Sequence, residues 1–165
     1  MSTVRFKLNT QAVSVSCAPD RRLLDILRED FGLIAAKPGC GVGRCGACMV
    51  WIDDLPANAC LVMAFRLEGR SVRTYEDVAA DAASAPVRDA IARCGALQCG
   101  YCTPGLAMTL THLHQQTPRP DREQAASLLS GNLCRCTGYG GIQRSIEQLF
   151  PATPPLSADN SGDSQ

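Results

Sequence analysis

Four cysteines within twenty-one residues, Cys40, Cys45, Cys48 and Cys60, constrain this chain more than any other feature of its sequence. The first three follow C-x4-C-x2-C spacing, and the fourth comes after eleven intervening residues. Glycines stand between and beside them at 39, 41, 43 and 46. Thiolates so spaced are the ligand pattern of a plant-type [2Fe–2S] loop. A loop that wraps a cluster closely must bring backbone N–H groups near the sulfurs. Glycine permits the positive φ this requires and removes the Cβ that would hold those groups off. Such donors offset thiolate charge and help to set the reduction potential.

The wider cysteine usage agrees. Ten cysteines stand at 17, 40, 45, 48, 60, 94, 99, 102, 134 and 136. The start, Met1 to Lys7, reads as a charged alternating strand rather than a signal peptide. In such a chain this many cysteines favour metal over disulfides, and a cytoplasmic location is expected. The two histidines, His112 and His114, lie in no cysteine-spaced motif, which argues against a Rieske centre and against Cys2His2 zinc. Lys plus Arg and Asp plus Glu both number 16, so nothing points to a nucleic-acid or polybasic membrane partner. No apolar run approaches the ~20 residues of a membrane span.

Val4, Phe6 and Leu8 alternate with polar residues, as do Val13, Val15 and Cys17, which predicts a hairpin turning near Asn9 to Gln11. Cys17 continues that alternation and reads as core. Asp20 is placed to cap a helix with Leu23, Leu24, Leu27 and Phe31 on one face. After the cysteine loop, Cys48 to Asp53 reads as a strand, Asp54 to Pro56 as a turn and Ser71 to Tyr75 as a last short strand. Strands, one helix and a cluster loop suggest a ferredoxin-like β-grasp unit over residues 1–76.

Residues 77–150 read as four helices. Glu76 to Ala85 looks like a linker running into them. Pro86 suits a first helical position, and Val87, Ala90, Ile91 and Cys94 repeat at helical spacing, making Cys94 a buried thiol. Thr103 and Pro104 open the next helix, with Leu106, Leu110 and Leu113 inward and both histidines near its end, where histidines are commonly solvated or face the helix dipole. Asp121 and Gln124 make a capping-box variant for the third. Thr137 and Gly138 start the last, with Ile142, Ile146 and Leu149 inward. Residues 151–165 are rich in Pro, Ser and Asp and are expected to be a disordered tail.

The second half holds its own cysteine set: Cys99-x2-Cys102, a gap of 31 residues, then Cys134-x-Cys136. Three readings are open on the residues alone. Structural zinc sites favour wider pairs than C-x-C, and a redox dithiol at Cys99 and Cys102 would lack its usual βαβ setting. A second [2Fe–2S] cluster is favoured by Cys102 and Cys136, each placed just before a helix start, where free N–H groups and the helix dipole favour an anionic site.

Taken together, Gly39 to Cys48, Cys60, Gln98 to Gly105 and Asn132 to Tyr139 are similar in order and spacing to the small iron–sulfur subunit of the xanthine dehydrogenase, or molybdenum hydroxylase, family. The match runs from about residue 3 to 150. The resemblance implies a β-grasp ferredoxin domain followed by a four-helix bundle, an α+β chain with one [2Fe–2S] cluster in each part. It implies that Cys40, Cys45, Cys48 and Cys60 hold the cluster nearer the electron acceptor. Cys99, Cys102, Cys134 and Cys136 would then hold the cluster nearer the molybdopterin cofactor, with Gln98 and Cys136 in contact with the pterin. The implied partners are a large molybdopterin-binding subunit and a medium FAD-binding subunit (or cytochrome). Cys136 to Tyr139 resembles the branch with a flavoprotein acceptor. The turns depart from the family's usual pattern, with Asn9-Thr10 and Asp53-Asp54 where Asn-Gly and Asp-Gly are common.

No nucleophile–base constellation or nucleotide loop is found in the chain. It reads as the electron-transfer subunit of an oxidoreductase, with no substrate chemistry of its own. The alternative is a free-standing ferredoxin-like carrier or a metal-stapled interaction module.

Overall fold

The computed structural model describes residues 1–150 and Ala152. The expectation for the tail lies outside these residues, Ala152 apart. β1 (Ser2–Leu8) and β2 (Gln11–Cys17) form the antiparallel hairpin, with Val4 opposite Val15. Their alternation sets the buried face: Val4, Phe6, Leu8, Val15 and Cys17 turn inward. At the turn Asn9 takes a left-handed φ of 56°, which Asn tolerates better than most residues. Its carboxamide oxygen also accepts the Thr74 N–H at 2.8 Å, tying the hairpin to a segment 65 residues away.

The helix expected from Asp20 starts later. α1 (Leu23–Asp25) continues into a π-helical stretch, Ile26–Asp30, and its cap position is Arg22 rather than Asp20. Tertiary pairing overrides the local signal here. Arg22 is bridged to Met63, the Leu23 N–H donates to the Val62 carbonyl and the Ala64 N–H to that of Arg21. Arg22 is thereby held extended. Leu23, Leu24, Ile26 and Leu27 are buried, while Phe31 only borders the core.

β3 (Met49–Ile52) pairs antiparallel with β4 (Leu55–Asn58), a strand where the sequence predicts only a turn. Pro56 hides it from propensity, but β4 is an edge strand and its missing N–H costs the sheet little. Asp53 and Asp54 make the turn, with left-handed φ of 49° and 65°. β5 (Ser71–Arg73) then enters between the hairpins, parallel to β1 and antiparallel to β3. The sheet order is β2-β1-β5-β3-β4.

The second half contains α2 (Tyr75–Val78), α3 (Ala85–Arg93), α4 (Thr103–Gln115), α5 (Arg122–Leu128) and α6 (Gly140–Leu149). Val87, Ile91, Leu106, Leu110, Ile142 and Ile146 lie in its core. The capping box of Asp121 and Gln124 forms with both hydrogen bonds. The expected linker is ordered: Asp77 and Asp81 grip Arg73 at 2.5 and 3.5 Å. His112 and His114 are half-buried against Trp51 and Phe150 rather than solvated, and burial lowers both pKa values. Cys94 is only half-buried, its thiol on the Gln148 carboxamide oxygen at 3.3 Å.

The two cores meet through a third apolar group of Trp51, Val78 and Met108. The buried Trp51 indole donates to the Met108 carbonyl at 3.2 Å, so strand β3 is fastened to helix α4.

Candidate metal centres

The first cysteine set is assembled from one loop that runs to the start of β3 and from the 3-10 turn Ala59–Leu61, which follows β4 and carries Cys60. Backbone N–H groups of Val42 and Arg44 point at Cys40 Sγ, at 3.5 and 3.1 Å, and the Cys40 N–H points at Cys45 Sγ at 3.4 Å. The donors on its sulfur pull the Cys40 thiol down to about 6. A Cβ on Gly39 would stand 2.7 Å from Cys45 Sγ, so only glycine leaves room for that sulfur. Cys48 and Cys60 lie beneath, both buried, joined by an Ala59 N–H to Cys48 carbonyl bond at 3.1 Å. Burial first, then the neighbouring Cys60, pushes the Cys48 thiol up to about 12. Asn58, unremarked in the sequence, accepts weakly from Cys48 Sγ at 3.8 Å and donates to the Gly43 carbonyl at 3.1 Å. It thereby ties β4 to the cysteine loop.

The second set comes from two loops. Cys99 and Cys136 are exposed with their sulfurs 3.4 Å apart. Cys102 and Cys134 lie deeper and interact with each other. The Tyr101 backbone N–H lowers the Cys99 pKa, while the Cys99 contact raises that of Cys136. Burial pushes Cys102 up to about 12. Cys134 ends at about 7: burial acts upward on it, but hydrogen bonds led by the Thr137 hydroxyl, 3.2 Å away, prevail.

The expectation of two helix starts at the second set holds for one of them. Cys102 stands directly before α4, but Cys136 does not adjoin α6, which begins at Gly140. Residues Thr137 to Tyr139 intervene. Tyr139 adopts a left-handed φ of 65°, and its hydroxyl accepts the Cys134 N–H at 3.0 Å. This side chain folds the loop back on itself, a role that sequence periodicity could not signal.

The two loops touch. The Leu133 N–H donates to the Cys45 carbonyl at 3.0 Å, and the Tyr101 hydroxyl to the Pro38 carbonyl. Gln98 is exposed beside Cys99.

Both sets suit an iron–sulfur group chemically: four thiols each, N–H or O–H donors at the sulfurs, and in the first set a cradle that a Cβ would fill. Among the described residues no three His, Cys, Asp or Glu side chains are grouped to hold one metal ion; a [2Fe–2S] cluster spreads its four thiolates over two irons.

Fold and sites together define a two-centre iron–sulfur protein, a β-grasp unit joined to a helical one. Residues 6–64 match a family described as 2Fe-2S iron-sulfur cluster binding domain, and residues 74–147 one described as [2Fe-2S] binding domain. The chain is 42% identical over 144 residues to the nicotinate dehydrogenase small FeS subunit of Eubacterium barkeri, covering 87% of this chain and 92% of that one. It is 39% identical over 147 residues to the xanthine dehydrogenase iron-sulfur-binding subunit of Escherichia coli O157:H7, covering 87% and 91%. The crystal structure of quinoline 2-oxidoreductase from Pseudomonas putida 86 superposes with a TM-score of 0.79 at 36% identity, covering 88% and 90%. The chain belongs to the family of small [2Fe–2S] subunits of the molybdenum hydroxylases, and is the electron-transfer subunit of an oxidoreductase with two such clusters.

Proposed function

We propose that Cys40, Cys45, Cys48 and Cys60 hold one cluster and Cys99, Cys102, Cys134 and Cys136 the other. When bound, the clusters supply one-electron redox chemistry along the chain. The observation behind this reading is the geometry of the thiols. Each set has exposed cysteines, Cys40 in one and Cys99 with Cys136 in the other, while the loops behind them meet at the Leu133–Cys45 hydrogen bond. With both clusters bound, electrons would enter at one exposed end, Cys99 and Cys136 or Cys40, and leave at the other across the loops in contact.

The second set faces a molybdopterin-binding partner and the first a flavin-binding one, in a cytoplasmic complex. Among the described residues no helix is long and apolar enough to cross a membrane. Gln98 and Cys136 are exposed where a pterin edge could be met, and a carboxamide offers it both donor and acceptor. The units divide near residue 76, a boundary supported by the separate cores on either side.

Iron and acid-labile sulfide analysis of the native complex tests the ligand assignment, with about two of each expected per cysteine set. Stoichiometric zinc in place of the second pair of irons would overturn it. Gln98→Leu tests the pterin contact. It should leave both clusters' spectra unchanged and slow electron arrival from molybdenum, and an unchanged rate would return Gln98 to a surface role.

A further inference from the structure

Asn132 stands two residues before Cys134 but belongs to neither cysteine set, and it is 4% exposed. Its carboxamide lies where the two cluster loops meet. Asn132 Nδ2 donates across the boundary to the Gly46 carbonyl at 3.4 Å, between Cys45 and Cys48 of the first set. Its Oδ1 lies 2.9 Å from the hydroxyl of Thr109, itself 6% exposed, on helix α4. The orientation is fixed chemically, because a carbonyl oxygen can only accept and so requires the NH2 end.

The packing is tight on the side of this amide that faces Gly46. Gly46 has a φ of 67°, and a Cβ there would overlap Asn132 Nδ2 and come within 2.7 Å of the Gly131 carbonyl oxygen. A Cβ on Gly105 would overlap the Gly46 carbonyl oxygen. Three segments, the first cysteine loop, the start of α4 and the approach to Cys134, thus converge on one side chain. The next residue, Leu133, makes the backbone bond to Cys45.

We propose that Asn132 is a positioning residue for inter-cluster electron transfer: its carboxamide, steered by Thr109, clamps the Gly46 carbonyl and fixes the separation of the two cluster loops. This deepens the ligand assignment above and rests on it. The hydrogen bonds of the Asn132 carboxamide go to Gly46 and Thr109, neither of them a cysteine. Asn132 acts through Gly46 and through Leu133, so its loss shifts one loop against the other and leaves each cysteine set intact.

Asn132→Asp replaces the donor with an acceptor facing a carbonyl, and Thr109→Val removes the hydroxyl that steers the amide; Thr109→Ser restores it. In the full complex, iron content and each cluster's own EPR g-values report on the ligands. The magnetic splitting between the two reduced clusters and the rate of transfer between them report on spacing. Asn132→Asp and Thr109→Val should keep full iron and the native g-values but change the splitting. Transfer should slow severalfold as the loops part. Thr109→Ser should behave as wild type. Native splitting and rate in both altered proteins would overturn the proposal. So would loss of a cluster from Thr109→Val, since the amide would then serve cluster assembly rather than spacing. Should Asn132→Asp fail to fold, the Val and Ser pair at 109 decides alone. Failure of the ligand assignment would show separately, as native complex lacking iron at one set.

Discussion

Gly105→Ala reverses the usual expectation for a helix and so isolates the contact between the halves. Gly105 lies in the first turn of α4 at an ordinary φ. There alanine should be favoured by about 0.5–1 kcal/mol on backbone entropy alone. The new methyl, however, would overlap the Gly46 carbonyl oxygen and sit 3.1 Å from its carbonyl carbon. Backbone atoms cannot rotate out of the way, so α4 and the first cysteine loop must separate. Overpacking of this kind costs about 1–3 kcal/mol. Breaking the Asn132–Gly46 and Leu133–Cys45 hydrogen bonds adds about 1 kcal/mol each. The balance is a loss of about 2–4 kcal/mol, in place of the gain that propensity promises. Gly69→Ala is the control: φ there is 70° with nothing within 4 Å of an added Cβ, so only a left-handed backbone cost of about 1–2 kcal/mol applies. Amide hydrogen exchange on the full chain with both clusters reads the effect locally. A local loss of about 2 kcal/mol lowers protection of the Leu133 N–H about thirtyfold, whereas Gly69→Ala should leave it alone. A Gly105→Ala protein as stable as wild type, with Leu133 still protected, would refute the close approach of the loops.

Iron capture by the apo-chain should slow as the pH falls, since only thiolates take metal. Burial raises one thiol in each set, Cys48 and Cys102, to about 12, so both sets should lose capture rate together as the pH drops below that value. A rate independent of pH at either set would contradict this. Cys17→Ala should keep all the iron and cost about 1–2 kcal/mol for its buried side chain, and Cys94→Ser should keep the iron at a cost of about 0.5 kcal/mol. Loss of a cluster from either would make that cysteine a ligand. Trp51→Phe removes the donor to Met108 and weakens the ring's contact with the Arg73 guanidinium, 5.4 Å from its centroid. Thermal unfolding should show about 1–2 kcal/mol lost, and an unchanged midpoint would mean the indole does not fasten the halves.

Much of the fold and of both sites was legible because ligand spacing and strand alternation are local signals. Cys40, Cys45, Cys48 and Cys60 stood out by spacing, and Val4, Phe6 and Leu8 by an alternation that matches their buried face. What escaped was set by distant partners. Asp20 looked like a cap, yet the pairing of Arg22 with Met63 delayed the helix. Pro56 concealed an edge strand that β3 supplies with a partner. Tyr139 carries no periodic signal, and its hydroxyl reaches back to the Cys134 N–H. Asn132 stood in plain view beside the second set, but its role depends on Gly46, 86 residues earlier.

The place of β5 in the sheet has a consequence for how the protein is made. The middle strand of five is the last in sequence and only three residues long. As the chain leaves the ribosome, the β1–β2 and β3–β4 hairpins emerge as separate pieces, each marginal alone in water. Cys40, Cys45, Cys48 and Cys60 are all synthesised before Ser71 to Arg73 can join the pieces. During that interval the four thiols emerge ahead of the strand that completes the sheet beneath them. Until Ser71 to Arg73 have left the ribosome and closed the sheet, the emerging thiols are open to wrong metals and to oxidation.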